Sequence, residues 1–176
     1  MNDPDAGRTS GSGPDTALLA TLFEGAPAFL ARLAAAGPFA SDAALFERAR
    51  AIAHAMSEPE QLELLDAHPR LGAPPGSVSA MSYAEQGYDR PAGTADIRVD
   101  VAAELERLNA AYEARHGFRY CVFVAGRPRE ALLPGMAAAL HADREAEIHR
   151  ALDAVVDIAI DRHAKLSAAS TAEHSP

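Results

Sequence analysis

The sequence contains no tryptophan, one cysteine and only 6% aromatic residues among its 176 positions. Because 48% of the residues are nevertheless hydrophobic, a core has to be built mainly from Ala, Leu, Ile and Val, whose small side chains suit close helix packing. The single Cys121 lies in the apolar run 120–124 and has no partner for an intramolecular disulfide. We therefore expect a buried, unreactive thiol in a reducing, cytoplasmic setting.

The sequence also lacks long apolar runs and basic clusters. No stretch of twenty apolar residues and no charged-then-apolar leader occurs, so neither a membrane-spanning segment nor a secretion signal is expected. The formal net charge is -9, which argues against a surface that follows nucleic-acid phosphates or an anionic membrane. A small-molecule or protein partner is the expectation that remains.

Seven histidines are present, but their spacing forms no HExxH, paired ExxH or Cys/His zinc set. Glu145 and His149 stand four residues apart on a predicted helix, a spacing typical of a surface contact. The glycines form neither GxGxxG nor a P-loop, and no GxSxG nucleophile elbow occurs. We therefore predict no metal site and no cofactor.

The dominant pattern that is present is helical. Apolar residues recur at three- and four-residue spacing through most of the chain, as in the segment of 143–166 that contains Ile148, Leu152 and Val155. With a length that suits one hydrophobic core, the sequence predicts an all-α, single-domain helical bundle with a short extended, buried segment near 118–124. Residues 15–166 form the predicted domain, and the segments 1–14 and 167–176 are predicted to be disordered.

Several helix boundaries are marked locally. Pro27 is expected to break or kink the first helical region. Ser41 can cap the next helix, and Ser57 followed by Glu60 is the capping-box pattern for the one after that. Gly117 is a plausible C-terminal cap for a long helix that ends at 116.

The segment around His68 carries the first chemical signal. The apolar residues before it predict a helix, and Pro69 disfavours helical backbone at His68, so this histidine is expected where the helix stops. The partial negative charge of a helix C-terminus favours imidazolium and is expected to raise the pKa of His68 toward neutrality. A histidine with such a pKa can both accept and donate a proton.

A second signal follows at Ser82, Glu85 and Gln86, and its interpretation is ambiguous. Ser82-x-x-Glu85 is the capping-box pattern, and the spacing alone favours a helix cap over a catalytic acid. Gln86 taken alone is typical of a solvated helix residue. Arg162 follows an apolar helix face and taken alone is a solvated or helix-end residue, although its guanidinium could also hold a carboxylate or stack on a flat ring.

Five short motifs stand in the order, and at about the spacing, of a known family. They are Leu65-x-x-His68-Pro69-x-Leu71-Gly72, Ser82-x-x-Glu85-Gln86, Leu108-Asn109-x-x-Tyr112, Gly117-Phe118-x-Tyr120 and Ile158-Ala159-x-x-Arg162. From Thr21 to Leu166 the chain resembles the decarboxylases of 2-oxo-4-hydroxy-4-carboxy-5-ureidoimidazoline (OHCU). The resemblance implies an all-α, cofactor-free, homodimeric enzyme of urate degradation that converts OHCU to (S)-allantoin and carbon dioxide.

The resemblance also implies roles for individual residues. His68 would be the catalytic acid/base, and Glu85 the acidic partner that orients the substrate or the imidazole. Arg162 would meet the planar ring of the anionic substrate or its carboxylate, and the backbone near 118–122 would face the substrate's carbonyl groups. The implied substrate-binding residues are Pro69, Ser82, Gln86, Phe118, Tyr120, Cys121, Val122 and Arg162.

Two departures from the family pattern leave other functions open. The segment 87–93 replaces a helical stretch that often follows Glu-Gln in the family, and Arg70 stands where many members have an acidic residue. Such changes could select a related ureido or imidazoline acid. A helical binding or interaction module, in which Ser82 and Glu85 merely cap a helix, is the alternative from another class. An enzyme requires His68, Glu85, Gln86 and Arg162 to meet in one pocket, whereas a module does not.

Overall fold

The computed structural model describes residues 15–89 and 95–173. Across these two ranges the chain forms eight α-helices and no β-strand, which confirms the all-α prediction. The helices are α1 (Thr16–Leu22), α2 (Pro27–Ala35), α3 (Asp42–Ala55), α4 (Glu58–Asp66), α5 (Ala80–Glu85), α6 (Ala95–His116), α7 (Leu133–Ala139) and α8 (Arg144–Glu173). Short 3₁₀ turns occupy Pro75–Ser77 and Arg129–Leu132. The predicted disordered segment 1–14 and part of 87–93 lie outside the described residues.

The local helix signals act as predicted. Pro27 stands in the first turn of α2, where a missing amide hydrogen has no cost. The Ser41 side chain accepts a hydrogen bond from the amide of Ala44 at 3.2 Å, and Ser57 with Glu60 forms a capping box at the start of α4. Gly117 follows α6 with φ of +81°, a left-handed conformation that glycine adopts without strain.

The predicted C-terminal boundary is wrong, because α8 continues through Glu173, well beyond residue 166. The segment that was expected to be disordered begins with Ser167-Ala168-Ala169, and alanine has the highest helix propensity. Extending a helix that already exists also avoids the cost of nucleation. Residues 174–176 lie outside the described ranges.

Helix α8 forms the centre of the core, packing against α1, α3 and α4. Its fully buried side chains follow a helical stripe, Leu152, Val155, Val156 and Ala159. Alanines on the facing helix α3, including Ala49 and Ala53, are completely buried, so the helices approach closely without large aromatic residues. None of the helices in the described part of the chain is long and apolar enough to cross a membrane.

The segment 119–124 forms neither helix nor strand, yet Tyr120, Cys121 and Val124 on it are buried. It is anchored by Arg150, in the second turn of α8, whose Nη1 donates to the Cys121 carbonyl at 3.0 Å. An irregular, buried segment of this kind can expose main-chain groups to a cavity. It forms one wall of the site described next.

Candidate active site

A cavity of about 320 Å³ lies between α5, the C-terminal half of α8, the segment after α4 and the irregular segment after α6. The structure brings nine of the ten predicted site residues to its wall: His68, Pro69, Ser82, Glu85, Gln86, Tyr120, Cys121, Val122 and Arg162. The convergence of these side chains argues against an interaction module in which they would be dispersed.

The tenth predicted residue, Phe118, does not line this cavity. It is buried in the core, where its ring packs edge-on against Tyr112 at 5.5 Å. Tyr120, Cys121 and Val122 line the cavity instead. The aromatic character of a residue and its position in a motif did not show whether its ring lies in the core or at the cavity.

His68 lies just beyond α4, which ends at Asp66. Its Nδ1 is 3.2 Å from the main-chain carbonyl of Leu64. Because a carbonyl only accepts hydrogen bonds, this contact places the imidazole proton on Nδ1 and leaves a lone pair on Nε2. In the described part of the chain, buried Nε2 has no hydrogen-bond partner. His68 thus lines the cavity and carries a basic ring nitrogen that has no partner.

The expectation that the helix end would raise the pKa of His68 is wrong. Burial lowers the pKa of His68 to about 4, and the nearby Arg162 guanidinium acts in the same direction. The hydrogen bond to Leu64 and the charge of Glu24 oppose this shift but are weaker. His68 is consequently neutral at pH 7, the form in which an imidazole can accept a proton.

Arg162 is almost completely buried, contrary to the solvated position that its sequence context alone favoured. Its Nε and Nη2 donate to the two oxygens of Glu85 at 2.6 and 2.8 Å. Nη2 also lies 2.7 Å from Glu24 and 3.0 Å from the Ser82 hydroxyl, and Nη1 reaches the carbonyls of residues 21 and 22. Every nitrogen of the guanidinium is thus engaged by the protein itself.

Glu85 lines the cavity but holds Arg162 rather than the imidazole. Both of its oxygens accept from the guanidinium, whereas the orientation of His68 comes from the Leu64 carbonyl. The structure therefore does not support the role of orienting the imidazole. Orientation of the substrate, the other role inferred for Glu85, remains a proposal.

The capping-box interpretation of Ser82 and Glu85 is also wrong. Helix α5 starts one turn earlier, at Ala80, and Ser79 is its N-cap, accepting from the Ser82 amide at 3.2 Å. The Ser82 hydroxyl instead donates to Glu24 at 2.7 Å. Two serines three residues apart both fit the local cap pattern, and tertiary contacts decide between them.

Glu24 is a residue that sequence reasoning missed. It lies in the turn between α1 and α2 with φ of +55°, and one of its oxygens accepts from Ser79, Ser82 and Arg162. Burial alone would raise the pKa of Glu24, but the hydrogen bonds and the Arg162 charge together lower it. The sequence did contain one indication that Glu24 has a role, because it is a single acidic residue, next to Gly25, in an otherwise apolar stretch.

Gln86 fixes the segment that follows His68. Its side-chain oxygen accepts from the amide of Gly72 at 2.7 Å, and its amide nitrogen donates to the carbonyl of Arg70 at 3.1 Å. The Arg70 side chain pairs with Glu113 on α6 and does not line the cavity. The positive charge that departs from the family pattern is therefore directed away from the site.

We predict that Gln86→Ala lowers the free energy of unfolding by about 1–3 kcal/mol, since it removes two part-buried hydrogen bonds to the main chain of residues 70 and 72. The turnover rate should fall as well, because the segment that carries His68 is less firmly held. Gln61→Ala is a matched control, since Gln61 is equally buried and also donates to main-chain carbonyls, but between α3 and α4. Urea unfolding and turnover rates compare the two variants; an equal effect on turnover would contradict the role of Gln86.

Other lining residues were not identified from the sequence. The wall opposite α8 extends through the turn 123–126, in which Ala125 and Gly126 have positive φ. On α8, Asp161 and Lys165 share the cavity face with Ile158 and Arg162. Because residues three and four apart lie on one face of a helix, the assignment of Arg162 to the site could have predicted that Lys165 lies there too. Leu71 also lines the cavity.

The histidines and acids at the start of α8 make other contacts. The His149 ring packs edge-on against His54 at 5.0 Å, and Glu147 accepts from Tyr112 at 2.9 Å and from Arg150 at 2.6 Å. In the ranges 15–89 and 95–173, no three His, Cys, Asp or Glu side chains are grouped as a metal site requires. These contacts link helices to one another.

Cys121 gives a simple chemical test of the buried wall. Burial raises the pKa of the Cys121 thiol to about 12, so almost no thiolate exists at pH 8. We predict that iodoacetamide does not modify the native protein at this pH and modifies one thiol after unfolding in urea, as measured by intact mass. Rapid modification of the native protein would show that the wall is open.

A neutral histidine, an acid and a buried guanidinium around one small cavity are the groups of an acid–base enzyme. The chain belongs to the OHCU decarboxylase family, whose sequence model matches residues 13–164. This agrees with the resemblance carried by the five motifs.

Individual relatives agree with this assignment. The chain is 31% identical over 144 residues to the uric acid degradation bifunctional protein PucL of Bacillus subtilis (strain 168), and 27% identical over 145 residues to the uric acid degradation bifunctional protein of Bacillus sp. (strain TB-90). Each match covers 82% of this chain and 28% of the relative, so the chain spans less than a third of those proteins.

Two solved structures share the fold. An OHCU decarboxylase crystallised in the presence of (S)-allantoin superposes with a TM-score of 0.67 and 22% identity, covering 85% of this chain and 96% of that one. An (S)-allantoin synthase superposes with a TM-score of 0.57 and 22% identity, covering 84% of this chain and 47% of the other. At this identity the likeness concerns the fold alone.

Proposed function

We propose that this protein decarboxylates OHCU to (S)-allantoin without a cofactor, with His68 as the catalytic base. The observation that carries the proposal is the neutral imidazole of His68, whose Nε2 is unpaired at the wall of a cavity shared with Glu85 and Arg162. Membership of the family and the names of the Bacillus relatives support the substrate assignment.

The proposed chemistry needs a base that gives back the proton it takes. When the bond from C4 to the carboxylate breaks, its electron pair forms a double bond to C5, and the nitrogen of the adjacent imine takes up a proton. The resulting enol becomes the ketone of allantoin when the C4 hydroxyl loses its proton and C5 gains one. Neutral His68 accepts the proton of the C4 hydroxyl at Nε2 and, as imidazolium, returns it to one face of C5, while the proton taken up by the imine nitrogen comes from water.

The other cavity residues have positioning roles in this proposal. Glu85 holds Arg162 and borders the substrate, while Pro69, Ser82 and Gln86 shape the pocket next to His68. The main chain of 120–122 faces the substrate's carbonyl groups. A planar ring between this wall and α8 would present only one face to His68, which accounts for a single product enantiomer.

The test is to generate OHCU in place from urate with the two preceding activities, then to follow its ultraviolet decay and the circular dichroism of (S)-allantoin. We expect the protein to accelerate both signals over the spontaneous reaction. Decay no faster than the spontaneous rate would overturn the proposal. If related ureido or imidazoline acids were turned over in its place, that result would identify a decarboxylase with a changed substrate.

We also propose that the protein is a cytoplasmic homodimer, as the family resemblance implies. Light scattering with size-exclusion chromatography measures the assembly state directly. A monomer at micromolar concentration would contradict the dimer.

A further inference from the structure

The closed end of the cavity offers no obvious unpaired cation that could bind the carboxylate of a substrate. Arg162 is the buried cationic side chain at its wall, and its nitrogens are already engaged by Glu85, Glu24, Ser82 and two carbonyls. The two carboxylates and one guanidinium sum to a negative charge. His68 is neutral near pH 7. Among the described residues at this end of the cavity, a substrate anion would therefore meet no unpaired cationic side chain.

Lys165 supplies the missing charge one turn further along α8. The helical spacing of Ile158, Asp161, Arg162 and Lys165 places all four on the cavity face. On this face the side-chain exposure is 1% for Arg162, 29% for Asp161 and 58% for Lys165. Arg162 thus lies at the closed end, and Lys165 lies at the solvent-exposed mouth.

The contact that Lys165 makes is one that a ligand can replace. Its Nζ lies 2.5 Å from Oδ2 of Asp161, an i,i+4 pair in which the Lys165 side chain is exposed and the Asp161 side chain is partly exposed. Exposed pairs of this kind contribute little to stability, because water screens both charges and two flexible side chains must be held. A second carboxylate at the mouth can therefore exchange with Asp161 at small cost, whereas displacing Glu85 from buried Arg162 would leave charges unpaired.

We propose that Lys165 is a specificity-determining residue that recognises the carboxylate of a ureido acid at the cavity mouth, and that Asp161 is its built-in competitor. The proposal rests on the proposed function for the identity of the substrate, but it concerns carboxylate binding and not the chemical step. It assigns opposite effects to two neighbouring residues: removing Lys165 weakens anion binding, and removing the Asp161 charge strengthens it.

The test compares two stable ureides: allantoate, which carries a carboxylate, and (S)-allantoin, which carries none. Dissociation constants are measured by calorimetry or NMR titration at pH 7.5 and low salt for the wild type and three variants. We expect Lys165→Met to weaken allantoate binding about three- to fivefold and to leave (S)-allantoin binding unchanged, in keeping with a partly exposed ion pair. Lys165→Arg should retain the preference, and Asp161→Asn should strengthen allantoate binding by a similar factor.

Salt gives an independent readout, because the wild-type preference for allantoate should shrink at high ionic strength. The proposal is overturned if Lys165→Met and the wild type bind allantoate equally. It is also overturned if Lys165→Met and Asp161→Asn each change the affinities for allantoate and for (S)-allantoin by the same factor, as a general disturbance of the fold would. With OHCU, Lys165→Met should raise KM while kcat stays within about twofold. Absence of turnover by the wild type would count against the proposed function, whereas the ratio of the two ureide affinities decides the role of Lys165.

Discussion

His68→Asn is expected to lower kcat/KM for OHCU by about 10²- to 10⁴-fold, the usual contribution of a positioned general base. Asparagine retains a group that can hydrogen-bond to the Leu64 carbonyl but has no basic nitrogen to take the place of Nε2. The ultraviolet decay of OHCU and the circular dichroism of (S)-allantoin measure the loss. The wild-type profile provides a second check, because the His68 pKa of about 4 places protonation of this base well below neutral pH. We expect the acid limb of kcat/KM near pH 4 and not near the ordinary histidine value.

His116→Asn is the matched control for this variant. His116 is also buried, with one ring nitrogen 2.9 Å from the Ala139 carbonyl and the other without a partner in the described part of the chain. It packs against Tyr112 in the core and does not line the cavity. We expect its replacement to affect stability more than turnover of the folded protein. Equal losses of turnover in the two variants would refute a catalytic role for His68.

Arg162→Met should be the most destabilising single substitution that we consider, lowering the free energy of unfolding by about 3–5 kcal/mol at pH 7. Methionine fills much of the same volume but leaves Glu24 and Glu85 close together in a mostly buried site without a cation. Urea unfolding followed by far-ultraviolet circular dichroism measures the change. Adding Glu85→Gln should restore part of the loss, because it removes one uncompensated charge.

The reference for this variant is Arg32→Met, which breaks the ion pair between Arg32 and Glu60 at the surface. Arg32 is half exposed, so we expect its loss to cost no more than about 1 kcal/mol. If Arg162→Met were as mild as this reference, or if Glu85→Gln destabilised the double variant further, the buried charge network would not have the role inferred from its geometry.

Sequence reasoning succeeded where the cause of structure is local. Pro27 was predicted to interrupt the first helical region, and Ser41 and the Ser57–Glu60 box were predicted to cap helices; these predictions are confirmed. Ser82 shows the limit of the same reasoning, since Ser79 competes for the cap and only the contact with Glu24 reveals the role of Ser82.

The environment of His68 could not be predicted from its neighbours in sequence. A helix end is visible in the sequence and raises a histidine pKa, whereas burial and a guanidinium from α8 lower it, and neither is a local property. Glu24 was missed for a related reason, because its partner Arg162 is 138 residues away along the chain. The motifs identified the cavity residues through family resemblance, but they did not indicate how the charges are paired.

The pairing of Arg162 has a consequence for the order in which the protein is made. A ribosome synthesises Glu24 and Glu85 long before Arg162, and the three meet only when the last helix packs against the first. A nascent chain that ends before α8 therefore holds two carboxylates with no cation between them, beside an open core. Helices formed early in translation would remain loosely packed until α8 emerges, and a ligand of the cavity could capture only a chain in which α8 has been made.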